Sequence, residues 1–194
     1  MKKATLILTL FYSTITTLVA QDIAPSKNKF GVTLSTNIFG LNDDLNNVSV
    51  GGGFYYSRKI SNKLSIYSEI DGSSRNFGNV FIMPGLSGEF TTGNLALYIG
   101  PMFDIGKSMN LSIGLVENYL FRSELKTATD TKKISAETTN YSSLFFDYRK
   151  NIYNKLSLGI RYEWGLNSIF ETTDRKVTNI SFTVFLPLKG KKSK

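Results

Sequence analysis

Residues 156–166 read Leu156-Ser157-Leu158-Gly159-Ile160-Arg161-Tyr162-Glu163-Trp164-Gly165-Leu166, with a large apolar or aromatic side chain at every second position. Successive side chains of an extended strand point to opposite faces, so a period of two marks a strand with one apolar and one polar face. The polar face of this stretch carries Ser157, Gly159, Arg161, Glu163 and Gly165. Outward from it, the same period runs through Phe30 to Ile38, Val48 to Tyr56, Leu64 to Ile70 and Val80 to Phe90. It continues in Leu95 to Ile105, Leu144 to Tyr148 and Ile180 to Leu188. No window beyond the first twenty residues carries an i, i+3, i+4, i+7 stripe, so the chain reads as all-β.

The strand-like segments are 29–39, 48–60, 63–72, 79–90, 94–105, 110–122, 139–151, 155–168 and 176–188. They exceed the usual globular strand of about 5 to 6 residues and suit the roughly 9 to 11 that cross a bilayer at a tilt. Closure removes the unpaired edges of such long strands, so an antiparallel up-and-down barrel is expected. Alternation alone leaves open which face turns inward: a soluble ligand-binding barrel places its apolar set inside, an outer-membrane barrel outside. Three features favour the membrane. The polar set is rich in Gly, Ser, Thr and Asn rather than in Lys and Glu, and the apolar set is nearly free of charge through the middle of most strands. Aromatic residues gather toward segment ends at Tyr55, Tyr56, Tyr148, Tyr153, Tyr162 and Trp164, as interfacial girdles do.

Nine segments conflict with the even strand number of single-chain bacterial barrels. Tyr56, Ile60, Asn62-Lys63-Leu64-Ser65 and Ile66 recur as Tyr148, Ile152, Asn154-Lys155-Leu156-Ser157 and Leu158. If both copies form the same tight turn at one end of the barrel, an even number of strands separates them, yet five segments lie between. Segment 110–122 is the weakest, because Glu117 falls on the apolar parity and the stretch runs into a polar loop. Its rival is 79–90, where Pro84 cannot donate to a sheet ladder. Eight strands are expected, with ten as the alternative.

The stretch Tyr153-Asn-Lys-Leu-Ser-Leu-Gly-Ile-Arg-Tyr-Glu-Trp-Gly-Leu-Asn-Ser-Ile169 resembles the "KLSLxxRYxYGLTNI" strand of the small outer-membrane β-barrel domain proteins, the porin family or PorT-like group. More distantly it resembles the OmpX and OmpA barrels. Ile82-Met83-Pro84 is similar to the Ile-Pro strand of that family, and Gly100-Pro101 to the Gly-Pro that opens its next strand. The resemblance covers most of the chain and is specific from about 141 to 188. It implies an eight-stranded outer-membrane barrel with no defined activity, a genuine strand around Pro84, and 110–122 as the extra segment. The chain departs from the general outer-membrane pattern at its end, where Phe185-Leu186-Pro187-Leu188 is followed by Lys-Gly-Lys-Lys-Ser-Lys rather than stopping at an aromatic.

Met1-Lys2-Lys3, the apolar run Ala4 to Val19 and the small-residue site at Ala20 form an export signal, so residues 1–20 are expected to be cleaved. Residues 21–188 would then form the barrel, and 189–194 a basic tail. The formal charge of +8 is mostly an end effect: two lysines open the chain and four close it, leaving 17 basic against 15 acidic residues between them. A nucleic-acid patch therefore has no support. The 194 residues contain no histidine and no cysteine, which removes histidine-dependent triads, thiolate sites and disulfides. The lipid A deacylases, palmitoyl transferases and aspartyl-histidyl proteases of outer membranes rely on histidine, so no enzyme and no cofactor is expected.

The inward parity of an outer-membrane barrel places Glu69, Asp71, Asp147, Arg149, Arg161 and Glu163 in the lumen. An eight-stranded interior is about wide enough to be filled by side chains, so these six read first as a buried ion-pair network. A carboxylate pair for hydrolysis or a charged constriction for ions is the sharper alternative. Gly51-Gly52-Gly53 lacks the Lys-Ser/Thr of a phosphate loop and reads as close strand approach. Asn42-Asp43-Asp44 lacks EF-hand spacing and reads as a solvated loop, without metal. The expected role is structural, surface-interacting or assembly-related, with a narrow pore and a secreted ligand-binding barrel as alternatives. Outer-membrane lipid, the export and barrel-assembly machinery, and a surface or periplasmic protein are the implied partners.

Overall fold

The structure is a computed structural model whose described residues are 28–188, excepting 43, 84–85, 107, 128–130, 135–137 and 154–155. The expected leader, the cut after Ala20 and the basic tail lie outside them, as does Pro84. Nine strands are described: β1 Asn28–Leu41, β2 Asp44–Lys59, β3 Leu64–Met83, β4 Leu86–Asp104, β5 Met109–Lys126, β6 Thr131–Lys133, β7 Tyr141–Tyr153, β8 Leu156–Gly165 and β9 Val177–Leu188. Every pairing is antiparallel. β1 pairs with both β2 and β9, and β4 with β5, so eight strands close on themselves while β6 hangs on the far end of β5.

Closure has a measurable stagger. The ladder that leaves β1 at Phe30 passes through Tyr56, Ser68, Ile99, Leu115, Leu144, Trp164 and Thr178 and returns at Gly40. It comes back ten residues further along β1, and this shear tilts the strands and sets the width of the barrel.

The strand count of eight holds, but its assignment changes. Segment 110–122 is no surplus: it lies within β5, paired to β4 and β7. Glu117, the reason for doubting it, does stand on the outward parity. The hydroxyl of Ser142 on β7 bonds both its carboxylate oxygens at 2.8 Å, leaving it half-buried and satisfied. The surplus segment is 79–90, which is not one strand but parts of two: residues 79–83 end β3, and 86–90 begin β4. Segments 63–72 and 79–83 are one strand because 73–76 continue the ladder to β4 through a polar stretch that periodicity took for a break. Gly100-Pro101 sits in the last third of β4 rather than at a strand start. The β4–β5 register passes from Ile99 with Leu115 to Met102 with Ser112, in keeping with a proline that has no N–H to give.

An irregularity between Asn76 and Asn79, with Gly78 at φ 66°, flips the parity of the upper part of β3. Val80, expected on the outer face, is therefore buried inside beside Phe77, and Phe81 points out. Tyr55 also leaves the expected girdle: its neighbour Tyr56 faces out, so Tyr55 faces in and is buried.

The β2–β3 turn at 60–63 and the junction of β7 with β8 lie at one end of the barrel with both described chain ends, separated by β3, β4, β5 and β7. The other end carries the longer loops. β3, β4 and β5, at 20, 19 and 18 residues, outrun the roughly 9 to 11 needed to span a bilayer and project on that loop side.

Gly53 marks the closest strand approach in the Gly51-Gly52-Gly53 run, since a Cβ there would lie 1.9 Å from the carbonyl oxygen of Ile70. Gly53→Val is expected to lower the urea stability of the folded barrel by roughly 1–3 kcal/mol. Gly72→Ala, whose Cβ meets only the Gly52 carbonyl at 4.0 Å, should leave the same unfolding curve in place.

Candidate functional site in the lumen

All six charged residues singled out from parity point inward and are buried. Glu69 and Asp71 lie on β3, Asp147 and Arg149 on β7, and Arg161 and Glu163 on β8. Asp147 and Arg161 are direct partners across the β7–β8 register. Arg161 is the hub: its guanidinium donates across the barrel to Glu69 at 2.5 Å, to the Tyr67 hydroxyl at 3.1 Å and to Asp147 at 3.4 Å. Tyr67 in turn bonds Glu69. Arg149 donates to Asp147 through its Nε at 2.7 Å. Glu163 accepts from the Tyr98 hydroxyl at 2.8 Å and from the Asn179 amide at 2.9 Å.

A seventh member was missed by sequence reading. Arg75 lies fully buried on β3, 3.9 Å from Glu163, and donates to the Tyr141 hydroxyl at 2.5 Å. The signal is present, because Arg75 continues the parity of Glu69 and Asp71, but the polar run from Gly72 to Asn76 carries no apolar alternation to mark the strand. Asp71 is the odd member: only 6% exposed, it has no ion pair, and its Oδ2 has no hydrogen-bond partner, among the described residues.

Aromatic faces complete the packing. The Arg149 guanidinium lies between Phe185 at 3.8 Å and Tyr67 at 3.9 Å, and Arg161 lies 4.1 Å from the Tyr98 ring centre. A desolvated cation over a ring is worth about 2 kcal/mol, which offsets part of the cost of burying these cations. Toward the loop end the lumen turns apolar: Phe39, Phe77, Phe90, Leu125, Ile169 and Phe170 belong to one buried cluster. Charge in the middle is thus capped by a hydrocarbon plug.

This geometry gives hydrolysis little to work with. Glu69, Asp147 and Glu163 are each engaged by a guanidinium or a tyrosine, and no group of three His, Cys, Asp or Glu able to hold a metal occurs among the described residues. The other two motifs are also spoken for. Gly51 to Gly53 lie inside β2, and the Asn42 side chain accepts from the backbone N–H of Lys176 at 3.0 Å as part of a turn. Asp43 lies outside the described residues.

No protein-family model matches the chain, and no curated protein matches it in sequence. Solved structures do. The chain is similar to Ail, the attachment invasion locus protein of Yersinia pestis, at TM-score 0.51 and 13% identity over 86% of this chain and 100% of that one. Ail has also been crystallised with the heparin analogue sucrose octasulfate. Neisserial surface protein A matches at TM-score 0.55 and 8% identity over 85% of this chain and 100% of that one. The fold is therefore that of the small, closed, eight-stranded antiparallel barrels.

The hub assignment sets two contrasting outcomes. Arg161→Met strands Glu69 without a cation and leaves Asp147 with Arg149 alone, and is expected to cost about 3–5 kcal/mol in urea unfolding. Asp71→Asn, which breaks no ion pair, should change the same stability by at most about 1 kcal/mol.

Proposed function

We propose that the chain is a non-enzymatic barrel of a bacterial outer membrane, exported by a cleaved leader, folded by the barrel-assembly machinery and acting through its loop end. The observation that carries this reading is the inversion of polarity: the barrel turns its apolar side chains out and its charges in. Phe54, Ile70, Leu97, Ile99, Phe146 and Phe182 stand exposed on the outer face, while Glu69, Asp147 and Arg161 are buried. A protein in water pays heavily for that arrangement, whereas in a bilayer lipid covers the outer face. It is also the reverse of what a secreted ligand-binding barrel needs, since the apolar set of the described strands faces mostly outward.

The loop end supports the surface role. There β3, β4 and β5 rise past the apolar band, and Val80, Phe81, Ser87, Gly88, Glu89 and Lys126 line a shallow open pocket between the β3–β4 hairpin and the end of β5. Loops positioned on a rigid scaffold are where binding is usually carried. The described acids and bases are mixed at that end, with Glu89, Glu171 and Asp174 beside Lys126, Arg175 and Lys176, so a polyanion contact such as Ail's is not part of the proposal. The aromatic plug and the ion-paired middle argue for a closed lumen rather than a pore.

The test combines fractionation with a detergent gel. The protein is expected in the outer-membrane fraction, with the unboiled form migrating faster than the boiled one. A soluble secreted product with unchanged migration would overturn the proposal. Ile70, flanked in register by Phe54 and Leu97, is the residue at which to probe the outer face. Leu158 is a poorer choice because it stands opposite Lys150 near the short-turn edge. Ile70→Lys should cost roughly 2–4 kcal/mol of insertion free energy and reduce the heat-modifiable form. Planar bilayers should record no discrete conductance.

A further inference from the structure

The short-turn end of the barrel is charged almost entirely in one sense. Lys29, Arg58, Lys59, Lys63 and Lys150 lie there, against Asp104 as the one acid among the described residues. Asp104 is engaged by Lys59 at 3.4 Å. Lys29, Arg58, Lys63 and Lys150 have no carboxylate within ion-pair distance among the described residues.

Two of these cations occupy equivalent places. In Tyr56-Ser57-Arg58 and Tyr148-Arg149-Lys150 a half-exposed tyrosine faces outward, and the cation two residues later faces the same way, closer to the rim. Arg58 stands opposite Asn28, the first residue of β1, and Lys150 opposite Met109, the first residue of β5. Both lie within the last four residues of their strands, and both belong to the internal repeat. The β2–β3 and β7–β8 hairpins are separated by β4 and β5 on one side and by β9 and β1 on the other, so the two copies lie on opposite flanks of the barrel.

Lipid-facing cations beneath an amphipathic ring sit at the depth where an anionic headgroup presents its phosphate, with the ring packed on the adjoining acyl chain. We infer that Arg58 with Tyr56, and Lys150 with Tyr148, form two binding sites for the phosphate of anionic phospholipids at the short-turn rim. The opposed placement favours lipid over a protein partner: lipid touches every flank of a barrel, whereas one docked protein reaches two opposite flanks only by encircling it. The inference rests on the membrane reading proposed above.

The test uses the mature chain folded into phosphatidylcholine vesicles that contain spin-labelled phosphatidylglycerol or, separately, spin-labelled phosphatidylcholine. At low salt, phosphatidylglycerol should be enriched in the motionally restricted shell roughly threefold to tenfold, and about 0.5 M salt should erase most of the preference. R58Q/K150Q should lose the preference, R58K/K150R should keep it, and K126Q at the loop end should leave it intact. A folded, heat-modifiable parent without preference, or an R58Q/K150Q barrel that keeps it, would overturn the inference and leave the membrane reading standing. Lipid indifference combined with salt-sensitive capture of an acidic protein would replace it with a docking surface. A parent that fails to insert would remove both.

Discussion

The closed ladder of β1 to β5 and β7 to β9 is the constraint on which the rest depends. An open sheet edge leaves a row of backbone N–H and C=O groups unpaired, and closure of the ring removes that edge. Closing eight strands with a stagger of ten residues leaves an interior that side chains must fill. The lumen is accordingly packed. Small residues such as Gly53 and Gly100 stand where backbones meet, and Arg75, Arg149 and Arg161 reach across the space that remains.

Filling that space with guanidinium groups carries its own demands. Three cations and four carboxylates out of bulk water are tolerable only if almost every one is paired and packed. Arg161 satisfies this by engaging Glu69 and Asp147 at once, Arg149 by lying between two rings, and Arg75 by joining Glu163 to Tyr141. These links tie β3 to β7 and β8, strands that share no ladder, so the network braces the barrel across its diameter. The plug of Phe39, Phe77, Phe90 and Phe170 does the same with hydrocarbon toward the loop end.

Much of this was legible residue by residue. Periodicity marked the strands, the Asn62-Lys63-Leu64-Ser65 stretch marked the β2–β3 turn, and parity placed six charges inside. Where reading failed, the cause was local. Alternation has no memory across a polar interval, so 63–72 and 79–90 read as two separate strands although a single strand, Leu64–Met83, joins the first to the start of the second. One irregularity near Gly78 reversed the parity of Val80, a displacement that only strand pairing reveals. Glu117 argued against its own strand because its partner, Ser142, lies on a neighbour whose register the sequence does not state.

The sequence alone determined that the chain is all-β, that its strands are long and two-faced, and which residues share a face, because these follow from the geometry of an extended backbone. Which segments join and how the buried charges pair were decided by closure. Parity says that Glu69 and Arg161 are both inward; only a stagger of ten around eight strands brings them within 2.5 Å. The same closure sets Tyr56-Ser57-Arg58 and Tyr148-Arg149-Lys150 on opposite flanks at one rim. Pairing between distant strands depends on register, and register is a property of the whole ring rather than of any one strand.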